Sequence, residues 1–198
     1  MISLNVLVIY GHPNKRGHNG LILKNVLKKL RERHIKHEVL DLYHIKFNPV
    51  LDETELYTQG KKPSKEVLKY QKMLKNADEV IIIYPVWWNG MPGIVKGFFD
   101  RVLTPGFAYY FKPLAFSQGY PVGLLKKMTA TIIMTTASHR WLYRIFTGAR
   151  AHKQVRKDLL GMTGMKIKIY HLDNCVKVNK KTESRVKKIV RKAFKRII

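Results

Sequence analysis

The chain has 198 residues, 45% of them hydrophobic, and carries 38 Lys and Arg against 13 Asp and Glu, a formal net charge of +25. Length and content suit one globular domain, 1–198, and a single cysteine, Cys175, excludes an internal disulfide framework. Such a charge attracts polyanions, but no helix-turn-helix or RNA-recognition signature accompanies it, so lysine-rich solvated faces are expected and nucleic-acid binding is not.

The N-terminus has no basic segment and no small-residue cleavage site, and no apolar run approaches the ~20 residues of a membrane span. A cytoplasmic protein is therefore expected. Cys and His show no zinc-like spacing, so no metal is expected either. Leu4–Tyr10 is predicted as the first strand, nearly all apolar. A polar loop from Gly11 to Gly20 leads to a helix on which Leu21, Leu23, Val26, Leu27 and Leu30 recur. Strand, glycine-containing loop and helix form a common phosphate cradle, because free N–H groups at a helix start meet an anion. Lys15 and Arg16 add charge there, and Asn19 is read as a cap, a ligand contact or both.

Glu38–Leu42 is a short second strand, and residues 43–65 form a long loop with one helical turn. Loops of that length are usually functional or mobile. Ser64–Asn76 is an amphipathic helix with Val67, Leu68, Met73 and Leu74 inward. Val80–Tyr84 is an unbroken β-branched and aromatic run, as in a strand buried on both faces. Pro85 ends it, Trp87–Gly90 form a loop, and Pro92 opens a helix with Val95, Phe98, Phe99 and Val102 on one side. Adjacent tryptophans in a loop at the carboxyl end of a buried strand suggest a platform for a planar ligand rather than core.

The aromatic run Phe107, Tyr109, Tyr110 and Phe111 is read as a loop, either a contact or ligand wall or a satellite hydrophobic cluster. Met128–Thr135 is the next strand, with residues 136–140 as its carboxyl-end loop. A turn at Gly148–Arg150 precedes a basic helix over Ala151–Leu160, and Lys166–Leu172 alternates as an edge strand does. Lys180–Ile198 is a final helix with an apolar stripe and a Lys/Arg face. Such a face can meet anionic membrane, although packing on the sheet is the commoner arrangement. Strands alternating with helices make a parallel sheet. The loops after its first, third and fourth strands then gather at one edge, as a phosphate-bearing planar cofactor requires.

The words Tyr84-Pro85-Val86-Trp87-Trp88-Asn89-Gly90-Met91-Pro92-Gly93, Gly97-Phe98-Phe99-Asp100-Arg101-Val102-Leu103 and Pro105-Gly106-Phe107-Ala108-Tyr109 resemble the NAD(P)H:quinone oxidoreductases, a group that includes ancillary proteins of potassium-efflux systems. Asp41-Leu42-Tyr43 and Phe47-Asn48-Pro49 match further words of that family. The resemblance implies a flavodoxin-like, doubly wound, five-stranded parallel sheet of order 2-1-3-4-5 with helices on both faces. It implies FMN, with FAD the alternative, reduced by NADPH or NADH and reoxidised by a quinone, nitroaromatic or azo acceptor in ping-pong fashion. A homodimer is implied, and the alternative role is that of a regulatory subunit contacting a membrane transporter. By position, His12, His18 and Asn19 would meet the cofactor after the first strand. Pro85, Val86, Trp87 and Trp88 would line the flavin ring, with Thr135 and Thr136 at its pyrimidine end. Gly17 stands where the family carries Ser, and Ala137 and Ser138 where it carries two glycines. A Tyr and a His downstream assist hydride transfer in the family, and Tyr143 and His152 are the nearby candidates.

Overall fold

Two unbroken apolar runs form the centre of the computed structural model, which describes residues 4–114 and 119–197. In chain order its elements are β1 (Asn5–Tyr10), α1 (His18–Glu32), β2 (Lys36–Asp41), α2 (Lys65–Lys75), β3 (Glu79–Pro85) and α3 (Gly93–Val102). Then come β4 (Tyr109–Pro113), β5 (Gly119–Gly123), β6 (Thr129–Thr135), α4 (Arg140–Thr147), α5 (Arg150–Lys153), β7 (Lys166–Leu172) and α6 (Lys180–Phe194). Five strands form a parallel sheet in the order β2-β1-β3-β6-β7. Counted within that sheet, the order is 2-1-3-4-5.

Successive strand residues point to opposite faces, and here both faces are covered. Leu7, Ile9, Ile82 and Tyr84 join Val67 and Leu74 of α2 and Val95, Phe98 and Phe99 of α3 in one buried cluster. Val6, Val8, Ile81 and Ile83 join Ile22, Val26 and Leu30 of α1 and Val186, Val190 and Phe194 of α6 in the other. That double burial is why β1 and β3 read as continuous apolar runs instead of alternating. Pro85 pairs with Thr135 and Thr135 with Leu172, so β3, β6 and β7 finish level, while β1 ends at Tyr10 opposite Ile83.

The long loop after β2 is tied down. Within it, Glu53–Glu55 and Tyr57–Gln59 form 3₁₀ turns. Arg101 of α3 donates from Nε and Nη2 to the Glu55 carboxylate (2.7 and 2.8 Å) and from Nη1 to the Asn48 carbonyl (2.7 Å), over the Phe47 ring.

Several expectations shift. The aromatic segment at 107–111 is not all loop: β4 pairs antiparallel with β5 in a separate two-stranded ribbon. Residues 136–150 contain the helix α4, and α5 continues through a π-helical turn, Gln154–Leu159. The first helix starts at His18 with Gly17 as its cap, so Asn19 lies inside it. Leu68 faces solvent, while Tyr70 and Gln71 take the inner side of α2. Pro92 caps α3 rather than opening it. Ile198, the expected end of the last helix, lies outside the described residues. Among the described residues no helix is long and apolar enough to cross a membrane.

Candidate active site

The loop after β1 folds on itself before α1 begins. Tyr10 donates its hydroxyl to the Asn14 carbonyl, the His12 Nδ1 lies 2.8 Å from that same carbonyl, and the Arg16 N–H donates to Asn14 Oδ1. A Cβ at Gly20 would collide with the Lys15 carbonyl, so the loop crosses tightly over the helix start. Gly17 supplies no side-chain cap and the first turn holds no acid. Its N–H groups and the positive end of the helix dipole are therefore left for an anion. Lys15 is drawn aside to the buried Asp41 (2.6 Å).

Asn19 is buried on the first turn and donates from Nδ2 to Thr135 Oγ1 (3.0 Å), while its Oδ1 is buried without a partner. The His18 ring is half-buried, its Nε2 has no partner, and burial with Arg185 nearby lowers its pKa. Thus two of the three residues expected in this loop, His18 and Asn19, carry unpaired buried polar atoms.

After β3, Trp87 and Gly90 exchange backbone hydrogen bonds of 3.0 and 2.9 Å, closing a two-residue turn. Trp88 and Asn89 occupy its corners with φ of +48° and +60°, the signature of the primed turns that join hairpins. The turn lifts both indoles outward: Trp87 is 42% exposed and Trp88 fully so. Trp87 lies 5.9 Å from the His12 ring at 56°, joining the first and third loops. Pro85 is buried at the strand end, and Val86 donates its N–H to the Thr135 carbonyl (2.8 Å). Ala137, Ser138 and His139 beyond β6 are exposed. The edge is thus an open ledge bounded by an uncapped helix start, a tryptophan turn and a polar loop.

Tyr143 and His152 meet each other, on α4 and α5. The Tyr143 hydroxyl accepts from the Ala151 N–H (3.1 Å) and lies 3.3 Å from His152 Nδ1. Sequence reading missed a third member, His171 at the end of β7. Its ring is 5.1 Å from His152 and 5.2 Å from Tyr143, and its Nε2 is 2.8 Å from Thr136 Oγ1. Burial, with Arg140, Arg144 and Arg156 adding to it, brings the His152 pKa down to about 4. Burial and the neighbouring His152 do the same for His171. Both imidazoles are neutral at pH 7. Thr136 therefore faces this histidine pair, whereas Thr135 faces Asn19.

The ledge fits a flavin phosphate in its donors and a flat ring in its indoles. A family model described as flavodoxin-like fold matches residues 4–197. An uncharacterised NAD(P)H oxidoreductase of Haemophilus influenzae is 33% identical over 145 residues, 72% of this chain and 69% of that protein. The crystal structure of Smu.1420 from Streptococcus mutans UA159 superposes with a TM-score of 0.83 at 30% identity, covering 96% of this chain and 98% of that one. The NAD(P)H:quinone oxidoreductase of Methanothermobacter marburgensis shares the fold with a TM-score of 0.80 at 23% identity, over 96% and 95%. The chain belongs to the flavodoxin-like-fold family.

Proposed function

We propose that the protein is a flavin-dependent NAD(P)H oxidoreductase that passes two electrons to a quinone or a similar small acceptor, such as a nitroaromatic or azo compound. The observation that carries this reading is the Asn19–Thr135 bridge, which ties the uncapped start of α1 to the end of β6, where the Thr135 carbonyl also receives the Val86 N–H at the entry to the tryptophan turn. One anionic group and one flat ring can then be held on the same edge. The flavin, when bound, supplies the redox chemistry, taking hydride from the nicotinamide and giving it to the acceptor.

The protein's share is binding and positioning. The first-turn N–H groups of α1 hold the phosphate, and Asn19 and His12 shape that end. One uncapped helix start suits a single phosphate, which favours FMN over FAD. Pro85, Val86, Trp87 and Trp88 form the apolar wall, and Thr135 and Thr136 fix the backbone at the polar end, their hydroxyls turned to Asn19 and to His171. His18, whose buried Nε2 has no partner, adds a further hydrogen-bonding group on the same turn. Tyr143 and His152, with His171, lie beyond Thr136 and meet the donor dinucleotide as neutral hydrogen-bonding groups.

Trp88, Tyr110, Phe111, Trp141, Ile145 and Phe146 are exposed large apolar residues, which supports a homodimer that covers part of the ledge. We read the crossovers as doubly wound, since α1 and α6 cover one face and α2 and α3 the other. We also read 1–198 as one domain, because α6 shares its core with α1.

The test is a visible-absorbance titration of purified protein with FMN and with FAD, followed by NADPH or NADH under anaerobic conditions. Bound flavin that bleaches with a nicotinamide and recovers with a quinone is expected. Failure of either flavin to bind, or bound flavin that stays oxidised with both donors, overturns the proposal.

A further inference from the structure

A cavity of about 310 Å³ lies against the carboxyl end of β7, between α4 and α5. Five cations line it: Arg140 and Arg144 from α4, Lys153 from α5, and Arg156 and Lys157 from the π-helical turn. His152 and His171 are its half-buried members. No carboxylate lines it. Of the acids nearest in sequence, Asp173 holds the Arg185 guanidinium at 2.5 Å and accepts from the Arg140 backbone N–H, and Asp158 lines a separate cavity. Among the described residues none of the five cations is in an ion pair.

That arrangement opposes stability. Arg140 and Arg144 are like charges at i,i+4, and Arg140 sits at the unfavourable positive end of its helix. A π-helical turn, rare in itself and frequent at functional sites, aligns two more cations with them. Neutral histidines add hydrogen-bonding nitrogens without further repulsion. A local conflict of this kind is expected where a ligand resolves it. The cavity also shares a wall with the proposed flavin edge, because His171 contacts Thr136 directly.

Resting on the reductase reading above, we propose that this cavity receives a phosphate monoester, the ribose 2′-phosphate of NADPH, and so makes NADPH the preferred hydride donor. Arginine forks match phosphate oxygens, and charge-assisted hydrogen bonds to them are strong.

The experiment uses the flavin-loaded full chain and compares NADP⁺ with NAD⁺ by calorimetry, beside kcat/KM for NADPH and NADH. NADP⁺ is expected to bind on the order of ten- to a hundredfold more tightly. The exposed double variant Arg144→Gln/Arg156→Gln is expected to erase that gap and leave NAD⁺ unchanged. Lys187→Gln/Lys188→Gln on α6 removes the same charge elsewhere and is expected to preserve it. Equal affinities in the unmodified protein, a gap that survives in R144Q/R156Q, or a gap equally lost in the α6 control each overturn the proposal. Inorganic phosphate that binds the cavity without any nucleotide preference also overturns it, leaving a free-anion site. If no flavin binds yet NADP⁺ selectivity appears and collapses in R144Q/R156Q, the cavity assignment stands and the reductase reading falls.

Discussion

Asn19 and Thr135, 116 positions apart, meet through a single hydrogen bond from Nδ2 to Oγ1 of 3.0 Å. The bond crosses from the first turn of α1 to the last residue of β6, so it sets how far the helix start stands from the polar loop. Both partners are buried, and removing one leaves the other without its bond. Asn19→Ala and Thr135→Val are each expected to cost about 1–3 kcal/mol. The double variant is expected to cost less than their sum by about 1 kcal/mol, the coupling of a contacting pair. Denaturant melts of the four proteins measure this, and strictly additive costs would show that the bond carries no energy.

Trp88 combines a left-handed backbone with a fully exposed ring. For an L-residue that conformation costs roughly 1–2 kcal/mol, which glycine does not incur. Trp88→Gly is therefore expected to raise stability by up to about 1 kcal/mol, after glycine's greater unfolded-state entropy is subtracted. The same change is expected to weaken flavin binding several-fold, whereas Trp88→Ala weakens it without the stability gain. A loss of stability on Trp88→Gly in thermal melts would mean that the indole is packed rather than displayed.

Arg101 and Glu55 form a buried two-point ion pair, with Asn48 and Glu66 completing the guanidinium's contacts. Arg101→Met leaves the Glu55 carboxylate buried without its cation and is expected to cost about 3–5 kcal/mol. Arg101→Met/Glu55→Leu is expected to recover most of that loss. Proteolysis should also start within residues 48–62 in the single variant and be suppressed in the double. Equal stability of the single variant and the parent would remove the ion pair as the anchor of this loop.

Glu79 begins β3 almost fully buried, and burial pushes its pKa up to about 7, only partly offset by Thr131 and Lys168. A carboxyl raised in the folded state favours folding while protonated. Stability is thus expected to fall as pH rises from about 4.5, the unfolded value, through about 7. Glu79→Gln keeps the shape and removes the ionisation. Its advantage over the parent is expected to grow by about 2–3 kcal/mol between pH 4.5 and pH 8. Parallel stability curves for the two proteins would refute the assignment.

The sheet was legible in the sequence because burial on both faces writes continuous apolar runs, as in Val80–Tyr84. The tryptophan turn was legible because paired indoles between Pro85 and Gly90 have no use in a core. The β4–β5 ribbon was not, since Pro113, Pro121, Gly119 and Gly123 interrupt any alternation and its residues are mostly exposed. Helix α4 escaped for a related reason. Trp141, Ile145 and Phe146 are apolar but face outward, and His139 provides no side-chain cap to announce the start. His171 looked like one more polar position on an edge strand. Only the fold brings α4 and α5 over it, although a histidine at the carboxyl end of a strand was a signal available in advance.

The two helices on one side of the sheet, α1 and α6, come from opposite ends of the chain and share one apolar seam. On the ribosome, therefore, α1 emerges after β1 with Ile22, Val26 and Leu30 incompletely covered and waits through synthesis of the six later strands for α6. Until Val186, Val190 and Phe194 arrive, the nascent chain exposes apolar surface of the kind that makes folding intermediates prone to aggregate. Closure of the seam is then timed by α6, and a lesion that frays this helix lengthens exposure of one made long before.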